Sequence, residues 1–184
     1  MKFIEQNIPG VYLIEMEPFK DERGSFARQF CLKELQHNGL EFSMCQCNLS
    51  GNTHKGTLRG LHYQKDPFPE IKIVSCLRGR IFDVVVDLRP NSPTYLKHIT
   101  TELTEGNNKL LYIPPMCAHG FQTLENDSTV YYQLGEFFHP EAYAGVRWND
   151  PKLGINWPIK NPIINERDNN YALLYQSISY WCYR

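Results

Sequence analysis

The sequence predicts an all-β protein, a sandwich or barrel of the jelly-roll kind, and three observations carry that expectation. Short runs rich in β-branched and aromatic residues recur along the chain at close spacing. Proline, glycine and asparagine punctuate them as turns, with 12 glycines and 12 prolines in 184 residues. Helical periodicity is nearly absent, which leaves strands to build the core. Among architectures of many short strands, a jelly roll leaves room for a small ligand.

In chain order, Val11-Tyr12-Leu13-Ile14 reads as a first strand, and Asp21-Glu22-Arg23-Gly24-Ser25-Phe26 as a turn leading into a strand that carries Phe26 and Phe30. Residues 32–36 suit one short helix. Residues 42–49 alternate well enough for a strand, with Gln46 and Asn48 on one face and Cys45, Cys47 and Leu49 on the other. Residues 56–64, Gly-Thr-Leu-Arg-Gly-Leu-His-Tyr-Gln, form a strand bracketed by Gly56 and Gly60. Strict alternation puts Leu58, Gly60, His62 and Gln64 on one side and Arg59, Leu61 and Tyr63 on the other. A glycine inside a strand marks a bulge or a close backbone approach. Residues 72–77 and 81–87 are β-branched runs on either side of Arg78-Gly79-Arg80, a hairpin signal. Runs at 99–103, 109–113, 119–124 and 128–133 continue the series.

Whole-chain figures narrow the function classes. Nineteen basic and twenty acidic residues give a formal net charge of -1, so no global field recommends a nucleic acid or an anionic membrane as partner. Any anion is bound locally. No composition break or linker divides the chain, which implies a single domain over 1–184. No signal peptide or transmembrane run is present, and a cytoplasmic location follows as an expectation. Six cysteines form no CxxC pair, so they read as buried, reduced thiols rather than zinc ligands or a redox dithiol.

The polar residues that fall inside strands point to a site. They are Gln46, Asn48, Arg59, His62, Lys72, His119 and Tyr132. A lysine inside a barrel needs a task or a carboxylate, because an unpaired buried charge costs several kcal/mol. His62 serves equally as a cavity-facing base or as a hydrogen-bonded core histidine, and His119, after the rigid Pro114-Pro115 turn, equally as a ligand-binding or a turn-bonding group.

Ordered motifs across nearly the whole chain resemble one family. They include Asp21-Glu22-Arg23-Gly24, Leu58-Arg59-Gly60-Leu61-His62-Tyr63-Gln64, Lys72-Ile73-Val74, Ala118-His119-Gly120-Phe121, Arg147-Trp148-Asn149-Asp150-Pro151 and Trp157-Pro158. Together they are similar to the dTDP-4-dehydrorhamnose 3,5-epimerases of deoxysugar (rhamnose, lipopolysaccharide) biosynthesis. The resemblance implies a cupin-type double-stranded jelly roll and a homodimer whose N-terminal strands reach into the neighbour. It implies a cofactor-independent isomerase, without metal, that inverts C3 and/or C5 of a nucleotide-linked 4-keto-6-deoxyhexose through an enolate. His62 then matches the general base, Asp168 the carboxylate that orients it, Tyr132 the acid on the other face and Lys72 the cation near the ketone oxygen. Arg59 and His119 match groups that bind sugar and diphosphate, and Gln46 and Asn48 the wall of the sugar pocket. Arg23, Arg28, Phe138 and Arg167 complete the substrate-binding set.

Two rivals keep the same fold. A metal-dependent cupin generally sets two histidines one residue apart, yet Gln64 stands two residues after His62, and an amide is a poor metal ligand. A non-catalytic sugar-binding cupin needs no opposed acid and base. Three positions depart from the family pattern. Phe138 stands where a base-stacking tyrosine is usual, and a phenyl ring still stacks. Tyr143 stands where an acidic residue is usual. Arg28 replaces a glutamate that reaches the base from the neighbouring protomer, and its guanidinium would oppose the N3–H of thymine while suiting the acceptors of cytosine or guanine. The tyrosine-rich tail from Tyr171 to Arg184 reads as packing or dimer surface.

Overall fold

A computed structural model describes residues 1–174. Thirteen strands and two short helices follow in order: β1 (Lys2–Glu5), β2 (Tyr12–Glu15), β3 (Phe19–Asp21), β4 (Gly24–Phe26), α1 (Leu32–His37), β5 (Gln46–Asn52), β6 (Leu58–Gln64), β7 (Lys72–Arg78), β8 (Arg80–Asp87), β9 (His98–Thr104), β10 (Lys109–Ile113), β11 (Cys117–Thr123), β12 (Ser128–Leu134), β13 (Tyr143–Gly145) and α2 (Glu166–Asn169). All pairings between these strands are antiparallel. One sheet has six strands in the order β1-β2-β10-β7-β12-β5, a second has five in the order β13-β6-β11-β8-β9, and β3-β4 is a separate hairpin. This is the all-β, cupin-type jelly roll that the sequence predicts.

Four layers result. Between the sheets lies a core with Val74, Cys76, Leu111, Ile113 and Val130 from one side and Ile81, Val85, Leu103, Cys117 and Phe121 from the other. The even-numbered residues of β8 point away from that core, so Phe82, Val84 and Val86 pack outward on Val146, Leu153 and Trp157 of the returning C-terminal segment. The run 81–86, apolar except for Asp83, is therefore a strand buried on both faces. On the opposite side, Ile14, Ile73, Leu110 and Tyr112 of the six-stranded sheet are covered by Leu35 of α1 together with Leu40 and Phe42.

Arg78-Gly79-Arg80 is not a hairpin. β7 pairs with β10 and β12, β8 with β11 and β9, and the tripeptide is a corner where the chain changes sheets. Gly79 has φ +74°, and a Cβ there would meet Ser128 Oγ at 2.5 Å, so its presence reflects the tight crossing rather than a two-residue turn. The strand expected at 42–49 starts at Gln46, because Phe42 is drawn under α1 and stacks edge-on against Phe30. Phe30 itself lies outside any strand, although Phe26 is in β4. Of the five cysteines among the described residues, Cys76 and Cys117 are buried while Cys47 is exposed on the edge strand β5. Cys182 and the tail beyond residue 174 lie outside the described residues. β1, β13 and α2 lack a sequence signal strong enough to be predicted: the first two are edge strands of four and three residues, and α2 is a single turn. Among the described residues no helix is long and apolar enough to cross a membrane.

Candidate active site

A cavity of about 850 Å³ opens between the sheets at the end where β5, β7 and β12 face β6, β11 and β13. Gln46, Asn48, Arg59, His62, Lys72, His119, Tyr132, Phe138, Arg167 and Asp168 all line it, together with Glu70, Tyr143 and Asn165. Arg23 and Arg28 do not reach it. Arg23 is an exposed residue of the β3–β4 turn paired with Asp21, and Arg28 donates to Glu34 at 2.6 Å outside the cavity of its own protomer.

The centre of the site is built by a break in β6. His119 pairs with His62 and Phe121 with Arg59, so three steps on β6 oppose two on β11. The extra residue is a bulge at Gly60, whose φ is +124° and where a Cβ would fall 2.6 Å from Gly120 Cα. Only glycine fits. The bulge advances the side-chain phase by one position, so Arg59 and His62, which strict alternation separates, both face the cavity. Leu58 and Leu61 are buried on the outer side of the sheet. Gln64 shares the face of His62 but is buried beyond the cavity and does not line it. Its amide donates to the carbonyls of Phe68 and Phe137, each at 3.0 Å, and accepts from the His139 amide at 2.7 Å. These bonds turn the amide toward the loop that follows β6 and away from the cavity.

Asp168 reaches His62 from 106 residues away because the C-terminal segment is stitched back onto β6. Ile163 accepts from Leu58 N–H at 2.8 Å and donates to the Gly56 carbonyl at 2.9 Å. Asn165 then caps α2, its side chain accepting from Asp168 N–H at 2.7 Å. The Asp168 carboxylate, fully buried, takes His62 Nε2 at 2.9 Å on one oxygen and Gly60 N–H at 3.1 Å on the other. Burial pushes the Asp168 carboxyl up, but the His62 and Gly60 hydrogen bonds outweigh it and hold the group below its ordinary range. Burial lowers the His62 imidazole, and Asp168 offsets only part of that, with Lys72 and Arg167 adding to the lowering. With Asp168 ionised, Nε2 carries the ring proton and a neutral His62 keeps Nδ1 as an acceptor.

Across the cavity, Tyr132 projects from β12 of the other sheet. Burial, reinforced by Asp83, raises its phenol well above the ordinary value, so it is a neutral proton donor at physiological pH. The His119 ring lies edge-on to it at 5.8 Å between centroids and is bonded through Nε2 to Asp83 at 2.8 Å. Burial raises the Asp83 carboxyl despite that partner, and its second oxygen has no partner among the described residues. Lys72 points inward, only 7% exposed, as its strand position requires. Its ammonium binds Glu70 at 2.8 Å and donates to the His62 carbonyl at 3.0 Å. Tyr143 lies over His62 with ring centroids 5.2 Å apart, meets Phe138 edge-on at 5.3 Å and carries the Arg167 guanidinium 4.8 Å above its ring.

Glu70 is the residue that sequence reasoning missed although a signal existed. Lys72 called for a carboxylate, and in extended chain the residue two before it shares its face. Asp83 was hidden inside an apolar run, where only its partner His119 explains it.

The chain matches the family model for dTDP-4-dehydrorhamnose 3,5-epimerase over residues 5–176. It is 41% identical over 182 residues to the dTDP-4-dehydrorhamnose 3,5-epimerase of Methanothermobacter thermautotrophicus, covering 97% of both chains. Among solved structures it superposes on the Bacillus anthracis enzyme of that name, bound to TDP and pyrophosphate, with a TM-score of 0.92 and 38% identity, covering 94% of this chain and 99% of the other. It also superposes on a Legionella pneumophila epimerase in complex with dTDP-4-keto-L-rhamnose, with a TM-score of 0.89 and 34% identity over 95% and 93% of the two chains.

Proposed function

The chain belongs to the dTDP-4-dehydrorhamnose 3,5-epimerase family, and we propose that this isomerase works with His62 as its base and Tyr132 as its acid. Its substrate is a dTDP-linked 4-keto-6-deoxyhexose, inverted at C3 and/or C5. The ketone acidifies the protons on both flanking carbons. Inversion removes one from one face and returns it to the other through an enolate. A base and an acid must therefore stand on opposite sides of the sugar ring, and the observation that carries this reading is their origin in opposed sheets: His62 on β6 and Tyr132 on β12 line one cavity.

His62 takes the proton at Nδ1, and Asp168 supports the imidazolium that forms. Lys72 offers an N–H to the oxygen on which the enolate charge develops, a stabilisation worth several kcal/mol in a site shielded from water. Tyr132, kept neutral by burial, delivers a proton to the far face. Arg59 and Arg167 take the diphosphate, His119, Gln46 and Asn48 the sugar, and Phe138 the base. No cofactor or metal enters the cycle.

The reading extends to a homodimer. Phe19 and Phe26, 68% and 80% exposed on the β3–β4 hairpin, together with the unpaired edge strand β5, suit packing against a second copy. That exchange would bring Arg23 to the neighbouring cavity, where its charge suits a diphosphate.

The test is solvent exchange. In deuterated water with dTDP-4-keto-6-deoxyglucose, the parent incorporates deuterium at C3, C5 or both, as NMR reads directly, and His62→Ala does not. Full incorporation by His62→Ala overturns the assignment of the base. Activity that needs added zinc or iron and disappears with a chelator transfers the protein to the metal-dependent cupins.

A further inference from the structure

We infer that Glu70 is a positioning residue for catalysis, acting through Lys72. The inference rests on the reading of Lys72 given above and concerns a residue outside the base, the acid and the substrate-binding set.

Glu70 enters the cavity from the loop between β6 and β7, a loop held at both ends. The Gln64 amide donates to the Phe68 carbonyl at 3.0 Å, the Ile71 carbonyl accepts from Gly135 N–H at 2.9 Å, and the Phe68 ring stacks on His139 at 3.6 Å. Two residues apart in extended chain, the Glu70 and Lys72 side chains share a face. Each side chain is only 9% exposed, and their charged ends lie 2.8 Å apart. An exposed ion pair of this kind would contribute little, but here each charge is the other's replacement for water.

The geometry does more than compensate charge. An ammonium has three N–H donors. One is taken by Glu70 and one by the backbone carbonyl of His62 at 3.0 Å. The third is left for the cavity, whose nearby walls carry His62, His119 and Tyr132. With two donors held, the ammonium cannot rotate freely, and its remaining hydrogen is aimed before substrate arrives. Such preorganisation is what makes a donor effective toward a developing oxyanion. Because one of the two anchors is the main chain of the base itself, the tether fixes the ketone-oxygen site relative to the atom that takes the proton. Without Glu70 the ammonium keeps one anchor and swings about it.

The experiment is a double-mutant cycle on the full chain with Glu70→Gln, Lys72→Met and the double variant, reading kcat and KM for deuterium incorporation. Binding of dTDP, which lacks the ketone, is measured by calorimetry on all four proteins. Glu70→Gln keeps a hydrogen-bond acceptor but removes the charge, and it is expected to lower kcat about tenfold or more with KM within about threefold. The double variant should fall within about twofold of Lys72→Met, since Glu70 has nothing left to position. dTDP affinity should stay within about twofold throughout. Losses that multiply in the double variant overturn the inference, as does a Glu70→Gln protein with parental kcat. Loss of dTDP binding in Glu70→Gln also overturns it, because Glu70 would then merely hold its loop. Parental kcat in Lys72→Met removes the role of Lys72 itself, an outcome distinct from a defect of Glu70 alone.

Discussion

Replacing Asp168 by asparagine isolates the support that a buried carboxylate gives His62. Asparagine has the same shape, but one of its two terminal atoms is now a donor. In the parent both oxygens accept, one from His62 Nε2 at 2.9 Å and one from Gly60 N–H at 3.1 Å. The variant must therefore turn its NH₂ toward one of them. Facing Gly60, it sets donor against donor in a buried position, a cost of about 1–3 kcal/mol. Facing His62, it donates to Nε2, drives the ring proton onto Nδ1 and blocks the base. In either arrangement the imidazolium loses a charge-assisted bond of about 2–3 kcal/mol. The lost bond raises the barrier by about 2–3 kcal/mol, and the arrangement that blocks the base adds to it, which together predict a loss of roughly 10²-fold or more in kcat/KM. The pH dependence moves the other way. Asp168 is the group that raises His62 against the lowering by burial, so its removal lowers the imidazole further. His62 then stays neutral to lower pH, and the acid limb of kcat/KM shifts toward acid while the plateau collapses. Deuterium incorporation across pH 4–8 measures both. A variant within threefold of the parent, or an acid limb displaced to higher pH, would refute the reasoning.

Tyr132→Phe should retain solvent exchange while inversion slows at least 10²-fold, since deprotonation by His62 survives and delivery to the far face does not; parallel loss of exchange would show that Tyr132 serves the first step instead. Gly60→Ala should destabilise the fold by roughly 3 kcal/mol or more, because its Cβ would overlap backbone of β11, with Gly120 Cα at 2.6 Å and the His119 carbonyl at 2.8 Å. A melting temperature within a degree of the parent would contradict that. Asp87 is fully buried and accepts from the Arg89 guanidinium at 2.8 and 2.9 Å and from Thr94 at 2.6 Å. Burial alone would raise its carboxyl, but these bonds with Arg89, Ser92 and Thr94 hold it well below the ordinary range. A depressed folded-state value stabilises above the unfolded value of about 4 and fades as pH falls below it, so Asp87→Asn should lower stability by about 1–3 kcal/mol at pH 7 and flatten the acid limb of a denaturation series. An unchanged acid limb would assign that limb to other carboxylates.

What the sequence made legible follows from how local each signal is. β10 is predicted residue for residue and β8 within one residue, because runs dominated by β-branched, aliphatic and aromatic residues have no competing local structure. The exchange of sheets at Gly79 was not legible, since a glycine in a tight corner and a glycine in a hairpin carry the same signal; which one forms depends on where β10 and β12 come to pair with β7. The site was legible as a set of residue types, polar groups inside strands. Its pairing was only partly so. Asp168 follows from no periodicity, because a single helical turn capped by Asn165 delivers it.

Gly60 links the fold to the chemistry of the site. Its bulge turns both Arg59 and His62 into one cavity, and the amide that the bulge leaves without a strand partner is the one that donates to Asp168. A regular β6 would spend that amide on β11 and put either the base or the arginine on the wrong face. The irregularity thus creates the space, supplies the second hydrogen bond of the carboxylate and fixes which of its oxygens meets His62. An unpaired amide in a strand is a stability cost on its own. Bound to Asp168, it is the reason the orienting carboxylate remains ionised in a buried position, and so the reason His62 holds its proton on Nε2 and keeps Nδ1 free for a substrate.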